Sequence, residues 1–139
     1  MSDDKFPELR VQAEIKKAED DLVQWIENAL NDRQSYGDLE ESQFRNAVQV
    51  AASSSSPKVV QNFLRYQMGR DKKWGRGNHA LASRIIKDID DSLHAKARSI
   101  HKVVYGMEQG DHLQDIWMQL IRRYLGYGSR HLKYRNEIQ

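Results

Sequence analysis

Two stretches of this chain set cationic and aromatic side chains side by side. Residues Arg65 to Arg76, reading RYQMGRDKKWGR, hold Arg65, Arg70, Lys72, Lys73 and Arg76, with Tyr66 and Trp74 between them and only Asp71 opposing. Residues Arg122 to Arg135 hold Arg122, Arg123, Arg130, Lys133 and Arg135, with Tyr124, Tyr127 and Tyr134 interleaved. Guanidinium and ammonium groups neutralise phosphates, and aromatic rings stack on unpaired bases whatever their identity. Gly69, Gly75 and Gly77 would let a phosphate come close to the backbone. Charge combined with aromatics points to single-stranded nucleic acid, RNA before DNA, held by its backbone and not read base by base. The competing reading makes the cations a solvated helix face and the aromatics core.

No reaction centre accompanies these stretches. His94 and His101 lie seven residues apart and so share a helix face, with Asp90 four residues before His94. Metal sites in helical bundles draw carboxylates from several helices and use Glu-x-x-His pairs, and the chain has no such pair. The two histidines read as surface residues. A family of helical ribonucleases keeps a narrow spacing between its catalytic Arg and His. Here seven residues separate Arg123 from His131, eight separate Arg122 from it, and two separate Arg98 from His101, all outside that range. Glycine-rich phosphate loops, nucleophile elbows and paired carboxylates are missing as well. The expectation is a non-catalytic binding protein that needs no metal or cofactor.

The charge is distributed unevenly. Residues 1–56 carry 6 Lys+Arg against 12 Asp+Glu, and residues 57–139 carry 16 against 8, so net charges of −6 and +8 lie behind the overall +2. A basic portion joined to an acidic one suggests a polyanion-binding face and a second face with another task. Glu19-Asp20-Asp21 is the one tight acidic cluster. It reads as a solvated surface, or as a dock for a basic partner or for the basic portion of another copy. At 139 residues one domain, 1–139, is expected, long enough to bury a core without disulfides. No apolar run approaches the roughly 20 residues that span a bilayer, so no membrane partner is expected. The start, MSDDKFPELR, lacks the basic-then-apolar pattern of a leader, and there are no cysteines, which together suggest the cytoplasm.

The elements that must position these residues all read as helices. Val11, Ile15, Ala18, Leu22, Trp25, Ile26 and Ala29 recur at helical spacing from Pro7 to about residue 30. Phe44, Ala47, Val48 and Ala51 mark a second helix, about residues 40–52. The run Ser53 to Ser56 before Pro57 reads as a break, with Ser56 capping and Pro57 opening a third helix that reaches about Lys73. After the loop at 74–78, a fourth helix is expected from about His79 to Tyr105, stopped by Gly106 and Gly110. A fifth starts near Asp111, and Gly126-Tyr127-Gly128 either interrupts or ends it. No period-2 alternation supports a strand. The fold class is therefore all-α, a five- or six-helix antiparallel bundle.

Three segments in order resemble a known family. They are SQFR at 42–45, LRYQMGR at 64–70 and the aromatic-rich IWMQLIRRYLGYG at 116–128. The sequence resembles the small helical subunit of type III CRISPR effector complexes, the Csm type in particular. The resemblance implies a non-catalytic bundle. Several copies would stack in a crRNA-guided ribonucleoprotein for antiviral defence, beside the guide–target duplex, while other subunits cleave. It implies crRNA, target RNA, other effector subunits and further copies of the chain as partners. Arg45, Arg65 and Arg70 fall on the matching positions and inherit an RNA-contacting role. The alternative is a protein–protein adaptor that docks through its acidic first helices.

Overall fold

The computed structural model describes residues 6–138. Residues 1–5, on which part of the leader argument and three of the N-terminal charges fall, lie outside the described residues, as does Gln139. All regular structure among the described residues is helical. α1 (Pro7–Asn31), α2 (Glu41–Ser53), α3 (Pro57–Arg70), α4 (Leu81–Asp88), α5 (His94–Tyr105) and α6 (Leu113–Ile138) follow in order, with short 3-10 turns at Arg33–Ser35 and Lys72–Trp74. A π-helical turn, Ile89–Leu93, joins α4 to α5 without a break, so five helices pack together as one all-helical domain. No helix among them is long and apolar enough to cross a membrane.

Hydrogen bonds between helices fix their directions. Arg122 on α6 reaches the carbonyls of Ala51 and Ser54 at the end of α2, whereas Ser129, further along, reaches Glu41 at its start, so these two helices are antiparallel. On α1, Gln12, Glu19 and Asn31 meet Gln119, Arg123 and Arg135 of α6 in turn, so α1 and α6 are parallel. Each helix reverses the direction of the one before it. With an odd number of helices the first and last must run the same way, and their contact closes the bundle.

The apolar stripes meet in one core. Val11, Ile15, Ala18, Leu22, Ile26 and Ala29 of α1 are buried, as the helical spacing predicts. All of these but Ala18 join one core cluster with Phe44, Leu64, Leu81, Ile85, Ile89, Leu93, Ile121 and Tyr124 from the other helices. Burying a Leu, Ile or Phe side chain contributes roughly 1.5–3 kcal/mol, which is the main force assembling the bundle. Local chemistry sets the ends. The Ser56 hydroxyl accepts the Val59 amide at 3.3 Å and Pro57 takes the first helical position, so α3 begins where the sequence predicts. Gly106 ends α5 with φ of +87°, a left-handed conformation that favours glycine.

Two expectations about helix continuity are corrected. α3 stops at Arg70 instead of near Lys73, because Asp71 turns extended and its carboxylate accepts the Lys73 amide at 3.0 Å. α6 runs unbroken through Gly126-Tyr127-Gly128. A Cβ on Gly128 would stand 2.7 Å from Ile26 and 2.8 Å from Phe44, so this glycine allows close helix packing and does not end the helix. The π turn also has a structural partner. The indole of Trp117 donates to the Ile89 carbonyl at 2.9 Å, using an acceptor at the point where the regular helical ladder shifts.

Candidate nucleic-acid interface

The α3 segment, PKVVQNFLRYQMGR, contains no carboxylate. Its inward positions, Val60, Gln61, Leu64 and Gln67, are buried. Outward, Lys58, Asn62, Arg65 and Gly69 recur at helical spacing and form one exposed stripe. Beside it, on the side facing α2, lie Phe63, Tyr66 and Arg70. The Arg70 guanidinium sits 5.7 Å from the centre of the Tyr66 ring, a cation–π pair one helical turn apart. Tyr66 remains 58% exposed, so one side of its ring is open to a ligand. Between α2 and α3 runs a shallow groove of about 400 Å³, where Asn46, Gln49 and Ser53 face Phe63, Tyr66 and Arg70. The α2 side supplies uncharged donors and acceptors and the apolar Val50, with no charged group. Among the described residues, Arg65, Arg70, Lys72, Lys73 and Arg76 form no ion pair.

The turn after α3 carries the basic run onward but changes the role of two residues. Lys72 and Arg76 are exposed and Lys73 is half-buried. Asp71, the one acid in the run, accepts the Gln43 amide at 3.2 Å as well as the Lys73 N–H. Trp74 was expected to stack on a base. Instead it is 1% exposed and lies on the Phe44 ring, with centroids 5.7 Å apart and planes 20° from parallel. Its indole belongs to the core, because the turn at Lys72–Trp74 swings the side chain back under α2. Gly75 is likewise structural. With φ of +90° and a hypothetical Cβ 2.2 Å from the Ser35 carbonyl oxygen, it is required for the loop to close and is no phosphate cradle.

The cations of α6 are mostly engaged inside the molecule, so the second basic stretch does not offer phosphates the free charges that its composition suggests. Arg122 donates to the carbonyls of Ala51 and Ser54 at 2.9 and 2.8 Å, closing the C-terminus of α2, where helix carbonyls lack partners. Arg123 pairs with Glu19 at 3.3 Å, and the Tyr127 hydroxyl donates to the same carboxylate. Arg135 donates to Asn31 at 3.0 Å. Arg130 lies over the Tyr127 ring at 6.0 Å, in a groove between α1 and α6 that Tyr134 also lines. Lys133 pairs with Glu137 at 3.0 Å and lies, with Arg45, along a depression between α2 and α6, where Arg45 itself pairs with Glu41. Tyr124 is fully buried, its hydroxyl donating to Asp88 at 2.6 Å. Arg45 and the α6 cations therefore face away from the α2–α3 groove.

The acidic cluster is partly neutralised by the chain's own basic portion. Besides Arg123 with Glu19, Lys96 pairs with Asp21 at 3.1 Å; outside the cluster, His131 contacts Glu27 at 3.7 Å. Burial holds the His131 imidazole below its ordinary value, against the pull of Glu27, so near neutral pH that contact is polar and not ionic. Neither helical histidine is a free surface group. His94 is half-buried and stacks on Trp117 at 4.2 Å, and burial, with the Arg98 charge, pushes its imidazole down. His101 is 2% exposed, with Nδ1 against the Met107 carbonyl. Among the described residues no group of three or more His, Cys, Asp or Glu is placed to hold a metal.

The candidate site is thus the outer face of α3 with the α2 groove, formed by Arg65, Tyr66 and Arg70, while Lys72 and Arg76 are exposed on the segment that follows. Sequence reasoning missed Lys58, Asn46 and Gln49. Lys58 was legible as one helical turn before Asn62 and two before Arg65. The two α2 amides carried no signal, since only packing decides which face of α2 borders α3. Comparison with protein families, curated proteins and solved structures returns no match to this chain.

Proposed function

We propose that this chain is a non-catalytic RNA-backbone-binding protein acting through the outer face of α3, as a structural subunit of a crRNA-guided type III CRISPR assembly. The single observation that carries the binding reading is an acid-free helix presenting Arg65, Tyr66 and Arg70 to solvent without an ion pair among the described residues. Phosphates lie along the cations, and an unpaired base stacks on Tyr66. The assembly reading rests on the resemblance of residues 42–45, 64–70 and 116–128. In it the partners are crRNA, target RNA, other effector subunits and copies of the chain in the cytoplasm. Of the matched cations, Arg65 and Arg70 lie on this face of α3, whereas Arg45 pairs with Glu41 beside α6 and is left out of the proposed contacts.

The test is binding of labelled single-stranded RNA at several salt concentrations. The log–log slope against salt is about −0.7 per phosphate neutralised on single strands, so the variant with Arg65→Ala and Arg70→Ala together should lose about 1.4 of the slope. Its helical content by circular dichroism should match the wild type. An unchanged slope refutes the assignment. Absence of any salt-dependent binding by the wild type would turn the reading toward the adaptor, docking through acids of α1 that stay exposed, such as Asp20.

A further inference from the structure

Gly69 sits in the last turn of α3, where neither a positive φ nor a packing contact within the molecule requires glycine. Its φ is not positive, since Gly75, Gly77 and Gly106 are the glycines in that conformation among the described residues. A Cβ built on it meets nothing within 4 Å. A helical glycine is less favourable than alanine, because it loses more backbone freedom on folding and offers no side chain to pack. The other helical glycines are Gly126 and Gly128, and Gly128 has a visible cause, since it admits Ile26 and Phe44. Gly126 is also open, but Arg122 and Arg123 nearby are bonded within the bundle.

We infer that Gly69 is where the RNA backbone passes closest to α3, an inference that rests on the binding reading above. The missing side chain removes bulk from the helix surface between Arg65 and Arg70, so that a strand can lie against both guanidinium groups. The attraction comes from those side chains and not from the helix end, whose exposed carbonyls are electronegative. Arg65 lies one helical turn before it, Tyr66 flanks that position, Arg70 follows directly, and Lys72 lies beyond on the 3-10 turn. A methyl group there would stand between the cations, holding a phosphate away from Arg65 and Arg70 and lifting its base off Tyr66. The surroundings also select the ligand class. A glycine can equally receive a packed protein helix, but three cations, an exposed tyrosine and no carboxylate on α3 suit an anionic strand with stackable bases.

The experiment compares Gly69→Ala and Gly69→Leu with the wild type and with Arg65→Ala/Arg70→Ala, using a labelled oligouridylate of about twelve nucleotides. Gly69→Ala should melt at or above the wild type, by up to about 2 °C, because its helix propensity is higher. It should nevertheless bind the oligonucleotide about fivefold more weakly, with Gly69→Leu weaker still, since the strand is displaced in proportion to side-chain size. Wild-type affinity in Gly69→Ala, alongside a reduced salt slope in the arginine variant, overturns the close approach and leaves the α3 reading standing. Loss of binding accompanied by a lower melting midpoint also overturns it, by making the glycine structural. Gly69→Ala that binds normally but loses concentration-dependent self-association in sedimentation places a protein helix there instead. Failure of the wild type to bind the oligonucleotide removes both readings.

Discussion

Arg123 of α6 lies 3.3 Å from Glu19 of α1, and through this contact the basic portion of the chain meets the acidic one. Lys96 and Asp21 repeat the pattern between α5 and α1 at 3.1 Å. The difference in charge between the two portions is therefore partly satisfied inside the bundle. What remains for a polyanion is the set of cations that no carboxylate reaches, and these concentrate on α3 and the turn that follows it.

Replacing Arg123 by Ala should separate the two uses of positive charge. Its side chain and that of Glu19 are 35% and 34% exposed, so the pair is solvent-screened and worth about 0.5 kcal/mol. Urea denaturation should show a small loss of stability, and the salt slope of RNA binding should not move. Arg65→Ala should do the reverse, since Arg65 is exposed and has no ion-pair partner among the described residues.

Gly128→Ala and Gly126→Ala are chemically identical changes in one helix with opposite expected signs. The new methyl at 128 collides with Ile26 and Phe44 and should cost about 1–3 kcal/mol by overpacking. At 126 nothing lies within 4 Å, so the gain in helix propensity, up to about 1 kcal/mol, should dominate. Thermal melts of the two variants should move to opposite sides of the wild type.

Trp74→Ala should act on stability. Removing an indole that is 1% exposed and stacked on Phe44 costs about 3–5 kcal/mol, a large part of what a domain this size has to lose. Any RNA-binding defect in this variant should track its unfolded fraction in urea. Recovery of binding when the fold is stabilised by an osmolyte in the absence of denaturant would confirm that binding does not need the ring.

Asp88 gives the protein a pH dependence of known sign. Burial pushes its carboxyl above the ordinary 3.8, while the Tyr124 hydroxyl and Arg84 pull it back only in part. The folded state then holds the proton more tightly than the unfolded one. Its contribution to stability falls as pH rises from about 3.8 through the folded-state value, and the loss is complete above that value. Asp88→Asn keeps an acceptor for Tyr124 and removes the charge. Urea unfolding across that window should shift the stability difference in favour of the variant as pH rises, and a flat difference would show that the carboxylate is not desolvated.

The helices were legible in the sequence because their causes are local. Pro7, the Ser56-Pro57 pair and Gly106 act on their own backbone, and the apolar spacing of α1 depends on the helical period alone. The candidate site was legible only in part. Arg65, Tyr66 and Arg70 keep the exposure that their place opposite the α3 core stripe implies. Arg122 and Trp74 look no different in the sequence, yet one closes the end of α2 and the other fills the core. The glycines at 126 and 128 show the same limit, since whether a neighbour stands against them is decided elsewhere in the chain.

The amino-acid sequence by itself determined an all-helical chain, the approximate starts of its helices and a third helix rich in cations with Asp71 as its one acid; the structure ends α3 at Arg70 and so leaves that acid outside it. Only the tertiary structure decided which cations remain available. Periodicity orients a side chain about its own helix axis, whereas its partner depends on which helix lies alongside, and here the return of α6 beside α1 and α2 engages Arg122, Arg123 and Arg135 while leaving the outer face of α3 open to solvent.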